Sequence, residues 1–267
     1  TLNLKDPQGL EIFMKMVEGA DVVVENYRPD VKNRLGIDYE TLRKVNKGIV
    51  LASISGFGQD GPYATRPGFD QIAQGMGGLM MITGKPGEGP MRAGAAVADM
   101  TAGFFACIGV MTALLERQSS GEGQWVQSSL LQAQIALLDF QAARYLMKGE
   151  IPAQVGNDHP VGMPTSAYTT SDGYININSL GQAMWMRLCK GLGKEELASN
   201  PDYAGPKERS KNRKSLNAEL NQLFKAKTTA EWTDQLLAAD IPCGPIYKMD
   251  QVFADPQVQH LQAAATI

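Results

Sequence analysis

The spacing of apolar residues changes repeatedly over the first sixty positions of the chain. In PQGLEIFMKMVEGA (residues 7–20) they recur at the interval of one helix face, and DYETLRKVN (38–46) also predicts a helix. DVVVEN (21–26) and GIVLASISGFG (48–58) are short continuous apolar runs, which are typical of buried parallel strands. Strand, helix and strand at this spacing predict a βαβ unit with parallel strands.

From residue 70 onward the apolar pattern becomes longer and mostly helical. We expect helices over DQIAQGMGGLMMITG (70–84), DMTAGFFACIGVMTALLERQ (99–118) and LQAQIALLDFQAARYLM (131–147). Between the last two, GEGQWVQSSL (121–130) predicts another strand. This part of the chain therefore continues an α/β pattern.

A second region is expected to begin after residue 155. SAYTTSDGYININS (166–179) alternates on both sides of a Ser-Asp-Gly turn, which predicts a β-hairpin, and three helical segments follow it. The sequence thus predicts an α/β protein in two domains. Residues 1–155 form a large domain with a parallel, Rossmann-like sheet and flanking helices, and residues 156–267 form a smaller α+β domain.

Composition excludes several classes of function. The formal net charge of −3 gives no electrostatic reason to expect a nucleic-acid partner, and two histidines are too few for a multi-histidine metal centre. The three cysteines are widely spaced, which favours free thiols in a reducing compartment, so we expect a cytoplasmic or organelle-matrix protein. The longest apolar run, FFACIGVMTALL (104–115), is shorter than the roughly 20 residues of a membrane span, and no membrane partner is expected. KERSKNRK (207–214) is interpreted as a solvated lead-in to a helix.

The candidate chemistry centres on one carboxylate and two arginines. Asp99 stands between AAVA and the long apolar run, where it is either the cap of a helix or a nucleophile shielded from bulk water. Arg28 and Arg34 follow the first strand and are either phosphate ligands or surface charges. Ligands of parallel sheets lie beyond the carboxyl ends of the strands, here ENYRP (25–29) and SISGFGQDGP (53–62). The fingerprints of P-loop, dinucleotide-binding and G-x-S-x-G enzymes do not occur.

Segments spread over nearly the whole chain resemble the family III CoA-transferases, also called the CaiB–BaiF family. They are, in order, NLKDPQG, ADVVVENYRPDVKNRLGIDYETL, SISGFGQDGPYATRPGFDQIAQGMGG, GPMRAGAAVADMTAGFFACIGVMTALLERQSSGEGQWVQSSLL, SDGYI and IPCGPI. The resemblance implies that Asp99 attacks the thioester of an acyl-CoA. We expect Asp99 to be the nucleophile and also to cap its helix.

The resemblance also implies a binding site for CoA, which is a substrate here and not a tightly bound cofactor. Residues 2–5 and the Asn-Tyr-Arg segment (26–28) would hold adenine and pantetheine, Arg34 would reach a phosphate, and Gly-Phe-Asp (68–70) would lie near the thioester. The implied residues are Leu2, Asn3, Leu4, Lys5, Asn26, Tyr27, Arg28, Arg34, Gly68, Phe69 and Asp70. No metal is implied, and the expected partners are an acyl-CoA, a small carboxylic acid and a second copy in an interlocked homodimer.

Within the family the segments MITGKPGEGPMRAG and LLQAQIALLDFQAARYL look most like the branch that acts on dicarboxylic acids such as succinate and glutarate. One alternative is an α-methylacyl-CoA racemase, which shares the fold; such enzymes carry a histidine base where this chain has Phe69. The other is a non-catalytic acyl-CoA-binding protein, against which the presence of Asp99 argues. Relatives extend further at both ends, so the sequence is expected to be a fragment. They also have a glycine-rich loop where this chain reads NSLGQ (178–182).

Overall fold

The chain divides into two compact units in a computed structural model that describes residues 1–265. One unit comprises Thr1–Gln154 and the other Val155–Ile267. The boundary predicted from the sequence lies after residue 155.

The amino-terminal unit is an α/β structure. Its elements, in chain order, are α1 (Pro7–Glu18), β1 (Val22–Glu25), α2 (Pro29–Leu35), α3 (Tyr39–Val45), β2 (Val50–Ser55), α4 (Asp70–Met76), α5 (Leu79–Ile82), α6 (Val97–Ser120), β3 (Trp125–Ser129), α7 (Leu130–Ala136) and α8 (Phe140–Lys148).

The three strands of this unit form one parallel sheet in the order β1-β2-β3. Val22 pairs with Val50, and Leu51 pairs with Trp125. The central strand β2 is buried along nearly its whole length, which explains its continuous apolar sequence. The parallel βαβ arrangement predicted from the sequence is present.

Helix α6 packs against the sheet through small side chains. Ala98, Ala102, Ala106 and Ala113 are buried, and the helix contacts β2, β3 and α7. Because alanine carries only a methyl group, the helix axis can approach the strands closely. These alanines are spaced by four or seven residues, and such spacings place them on one helix face.

The opposite face of α6 is apolar and exposed. Phe104, Ile108, Met111 and Leu115 lie on it, and the helix is long and apolar enough to cross a membrane by length and composition alone. Core helices of soluble proteins meet the same criterion, and one such helix is weak evidence of a span. That no membrane partner exists stays a prediction.

Two segments predicted as single helices are each interrupted in the structure. Between α4 and α5 the chain turns at Gly78, whose φ of 86° belongs to the left-handed region that glycine adopts without strain. Asp139, with a φ of 46°, separates α7 from α8. Helix α2 was not expected, although Pro29 at its start and Gly36 after its end are ordinary helix signals.

The carboxyl-terminal unit is an α+β structure. Its elements are β4 (Thr165–Thr169), β5 (Tyr174–Asn178), α9 (Gln182–Gly191), α10 (Glu196–Ser199), α11 (Pro206–Lys211), α12 (Arg213–Phe224), α13 (Thr229–Ala238), β6 (Cys243–Pro245), α14 (Met249–Ala254) and α15 (Pro256–His260). The predicted hairpin is present as the antiparallel pair β4–β5, and the unpredicted short strand β6 pairs with β5.

The interpretation of residues 207–214 as a solvated lead-in to a helix is wrong for Arg209, although most of the segment is exposed. Residues 206–211 form helix α11, and Arg209 is fully buried. Its guanidinium donates to the carbonyl oxygens of Met163 and Tyr203 and to Oε1 of Gln182, and it lies 5.1 Å from the ring centre of Trp185. The charge run concealed this residue because the residues on either side of it, at 207, 208, 210 and 211, are exposed.

Adjacent leucines of α13 provide a test of this packing. Leu236 is fully buried in the core of the carboxyl-terminal unit, whereas Leu237 is 55% exposed. We expect Leu236→Ala to lower the free energy of unfolding by about 2–5 kcal/mol, because it leaves a cavity. Leu237→Ala should change it by no more than about 0.5 kcal/mol. Urea unfolding followed by circular dichroism measures both values, and equal losses would contradict the assigned orientation of α13.

Candidate active site

The carboxyl ends of the three parallel strands open onto a cavity of about 570 Å³, here named the strand-end cavity. Asn26, Gly56 and Leu130 each follow the last residue of a strand, and all three line it. The full lining consists of Asn26, Arg28, Ile54, Ser55, Gly56, Pro67, Gly68, Phe69, Asp99 and Leu130. The sheet thus gathers residues that lie about a hundred positions apart in the sequence.

A second cavity of about 460 Å³ is here named the amino-terminal cavity. Tyr27 lines it, whereas the adjacent residues Asn26 and Arg28 line the strand-end cavity. Its lining consists of Leu2, Asn3, Leu4, Lys5, Tyr27, Val31, Arg34 and Leu35. Two cations and an aromatic ring in one cavity suit the phosphates and the base of a nucleotide. Together the two cavities contain all the site residues predicted from the sequence except Asp70.

A pair of glycines shapes the strand-end cavity, and the sequence analysis did not single out the first of them. A Cβ atom at Gly56 would lie 2.6 Å from the Cα atom of Gly68, and one at Gly68 would lie 2.5 Å from that of Gly56. Any side chain at either position would push apart the two ends of the loop that joins β2 to α4. The glycines after the apolar run of β2 were the available signal.

A buried ion pair between Glu25 and Lys32 stabilises the turn at residues 26–28. Oε2 of Glu25 accepts from the main-chain N–H of Tyr27 at 2.7 Å, and its Oε1 lies 3.7 Å from Nζ of Lys32. Lys32 also donates to Oε1 of Gln59, in the loop after β2. Neither charged residue was predicted, and both are almost completely buried. This pair fixes the main chain between the two cavities.

Asp99 is the third residue of α6 and lies at the edge of the strand-end cavity. The expectation that it caps its helix is wrong, because the N-cap residue is Ala96, whose side chain makes no capping hydrogen bond. Among the described residues, none donates a hydrogen bond to the Asp99 carboxylate. The residue as a whole is exposed, yet the partial burial of its carboxyl group, and next the charge of Asp70, raise its pKa.

The carboxylate that caps α6 comes instead from α4. Asp70 is buried, and its Oδ1 accepts from the main-chain N–H of Ala98 at 2.8 Å while its Oδ2 accepts from Nε2 of Gln74 at 2.6 Å. A negative charge near the start of a helix is favourable, because it compensates the positive end of the helix dipole. Asp70 therefore serves the first turn of α6, and its carboxylate does not line either cavity.

The two arginines of this region share one acidic partner. Arg28 lies 3.9 Å and Arg34 3.3 Å from Asp30, and all three side chains are largely exposed. Exposed ion pairs of this kind contribute little to stability, so both guanidinium groups are available to an anionic ligand. Within the described residues no cluster of His, Cys, Asp and Glu could hold a metal ion.

Comparisons of the sequence and of the fold with known proteins point to one family. The sequence model of a family described as CoA-transferase family III matches residues 1–267. The chain is 39% identical over 262 residues to a succinate–glutarate CoA-transferase of Agrobacterium fabrum and 35% identical over 259 residues to a human succinyl-CoA:glutarate CoA-transferase. These alignments cover 96% and 97% of this chain, which spans 64% and 59% of those proteins' lengths. A crystal structure of a CaiB/BaiF family protein from Brucella suis is similar with a TM-score of 0.88 and 36% identity, over 97% of this chain and 69% of that one.

The electrostatic coupling between Asp99 and Asp70 can be measured directly. Asp70→Asn removes the negative charge and keeps an oxygen that can accept from Ala98. Because the charge of Asp70 raises the pKa of Asp99, that pKa should fall in the variant. A carbon-detected NMR titration of the aspartate carboxyls measures the shift, and the resonance missing from Asp99→Asn assigns the signal. An unchanged or higher midpoint for Asp99 would show that the two carboxylates do not interact.

Proposed function

This chain belongs to CoA-transferase family III, and on that premise we propose that it moves CoA from a donor acyl-CoA to an acceptor carboxylic acid. The family resemblance found in the sequence is confirmed. The observation that carries the proposal is the location of Asp99, a carboxylate without a hydrogen-bond donor among the described residues, at the open edge of the strand-end cavity. A carboxylate with that freedom can act as a nucleophile.

The proposed substrates are dicarboxylic acids and their CoA thioesters. Both curated relatives described above are named for succinate and glutarate, and further relatives are named for D-citramalate and mesaconate. The amino-terminal cavity, with Lys5, Tyr27 and Arg34, is the proposed site of the nucleotide part of CoA. The thioester would then reach Asp99 past the turn at residues 26–28, which contributes to both cavities.

The first half of the proposed reaction forms an anhydride. The ionised carboxylate of Asp99 attacks the thioester carbonyl carbon, the carbon–sulfur bond breaks, and CoA leaves as a thiolate. The product is a mixed anhydride between Asp99 and the donor acid. A raised pKa makes the ionised carboxylate more basic and so a better nucleophile.

The second half transfers CoA to the enzyme and then to the acceptor. The thiolate attacks the Asp99 carbonyl carbon, which releases the donor acid as a carboxylate and leaves an aspartyl-CoA thioester. The acceptor carboxylate then attacks this thioester, and the two steps run in reverse order to give the new acyl-CoA and free Asp99. Anhydrides hydrolyse readily, so the apolar lining at Ile54, Phe69 and Leu130 would help to keep water away.

Assembly and location belong to the same proposal. We infer an interlocked homodimer, as the family resemblance implies, and the exposed apolar face of α6 is the kind of surface that a second chain covers. We place the protein in a reducing compartment, the cytoplasm or an organelle matrix, since all three cysteines are free thiols.

The nucleophile assignment predicts a separation of transfer from binding. Asp99→Ala in the intact protein should lower CoA transfer at least about a thousandfold, since no step can begin without the carboxylate. Affinity for CoA, measured by calorimetry, should stay within about twofold, because Asp99 does not line the amino-terminal cavity. Glu18→Gln, which removes an exposed carboxylate at the end of α1, serves as the control and should retain full activity.

Chemical trapping identifies the carboxylate that reacts. With acyl-CoA and hydroxylamine, the wild-type protein should acquire a hydroxamate on the peptide that contains Asp99, and mass spectrometry locates it. A hydroxamate at Asp70 instead would assign the chemistry to the other carboxylate.

Phe69 distinguishes transfer from racemisation. A racemase must remove the proton at Cα of the acyl group, and the side chain of Phe69 has no group that can do so. We therefore expect no deuterium at Cα when a 2-methylacyl-CoA is incubated in heavy water, together with clear CoA exchange into free acid. Rapid deuterium incorporation without acid-dependent transfer would reverse the assignment and make Asp99 an acid–base residue.

A further inference from the structure

Gln74 is a fully buried glutamine of α4 whose amide joins the first residue of that helix to the main chain at residues 93–95. Its Nε2 donates to Oδ2 of Asp70 at 2.6 Å and to the carbonyl oxygen of Ala95 at 3.2 Å. Its Oε1 accepts from the main-chain N–H of Ala93 at 2.9 Å. The side chain thus holds both the residue that caps α6 and the main chain that leads into it.

The chain enters α6 from a long segment without secondary structure. Between the end of α5 at Ile82 and the start of α6 at Val97 the chain forms no helix or strand. The N-cap residue Ala96 has no polar side chain, so the first turn is fixed from outside, through Asp70 and through residues 93–95. Gln74 contributes to both of these attachments.

We propose that Gln74 is a positioning residue for Asp99, acting through Asp70 and through the segment that enters α6. The inference rests on the proposed function, because it concerns the same nucleophile. Gln74 does not line the strand-end cavity. Its effect is therefore on the placement of the Asp99 carboxylate in the first turn of α6, and not on contact with the substrate. A misplacement of about 1 Å in a reacting group lowers the rate of a covalent step by on the order of 100-fold.

The neighbouring helix α7 offers a matched control. Gln134 is also fully buried, and its side chain packs against Gly77 at the end of α4. Neither atom of its amide has a hydrogen-bond partner among the described residues. Gln134 therefore shares the burial and chemistry of Gln74 without its connection to Asp99.

The experiment replaces each glutamine by methionine, which has nearly the same length and no amide. In Gln74→Met we expect kcat for CoA transfer to fall by on the order of 100-fold, with KM for the acyl-CoA within about twofold of wild type. Gln134→Met should keep both constants within about twofold. Gln74→His, whose imidazole can donate one hydrogen bond and accept another, should lose less of kcat than Gln74→Met.

A second measurement does not depend on turnover. Amide hydrogen exchange at Ala98, whose N–H is bonded to Asp70, should become faster in Gln74→Met and stay at the wild-type rate in Gln134→Met. This readout also applies if Gln74→Met is partly destabilised. A local loosening accelerates exchange near Ala98, whereas global unfolding accelerates exchange throughout the unit, and Gln74→His serves as the less disruptive comparison.

Three results would overturn the positioning role. They are equal losses of kcat in the two methionine variants, a KM for acyl-CoA that rises as kcat falls, and unchanged exchange at Ala98 in Gln74→Met. If instead the wild-type protein transfers no CoA between any pair of acyl-CoA and acid, the proposed function fails. The exchange at Ala98 then decides the positioning role by itself.

Discussion

The hydrogen bond from the main-chain N–H of Ala98 to the Asp70 carboxylate fixes the first turn of α6, on which the candidate active site depends. It joins the start of α4 to the start of α6, whose own N-cap residue has no polar side chain. A buried carboxylate is costly unless its oxygens are satisfied, and here each oxygen accepts one strong bond. The pKa of Asp99 is raised first by partial burial of its carboxyl group and next by the charge of Asp70, so Asp70 affects both the position and the ionisation of the proposed nucleophile.

The rest of the site follows from the parallel sheet. Three strands that run in the same direction end at one edge, and the residues that follow them line a single cavity. The two ends of the loop between β2 and α4 can approach each other because Gly56 and Gly68 have no side chains. The buried pair of Glu25 and Lys32 then fixes the turn between the two cavities. Such a pair is weak evidence for stability, and its value here is to define one conformation of that turn.

Much of the predicted site depends on features that are local in the sequence. Residues 2–5, residues 26–28 and Arg34 are each close to a strand or helix terminus. The family resemblance implies that they bind CoA, and the structure places them in the two cavities. Three residues were not predicted from the sequence: Glu25, Lys32 and Gln74. Two of them, Lys32 and Gln74, act through partners that lie up to 27 positions away. No local pattern distinguishes a buried lysine from an exposed one.

The sequence by itself determined the α/β architecture, the parallel direction of the strands and the hairpin of the second unit; the assignment of Asp99 as nucleophile rests on the family resemblance and stays a prediction. Periodicity and short motifs carry this information, because a strand or an amphipathic helix is specified by neighbouring residues. Only the tertiary structure decided which carboxylate caps α6, that Arg209 is buried, and where the long predicted helices are interrupted. Capping from a distant element and burial of a charge are set by packing between segments, and the energy of those contacts exists only once the chain has folded.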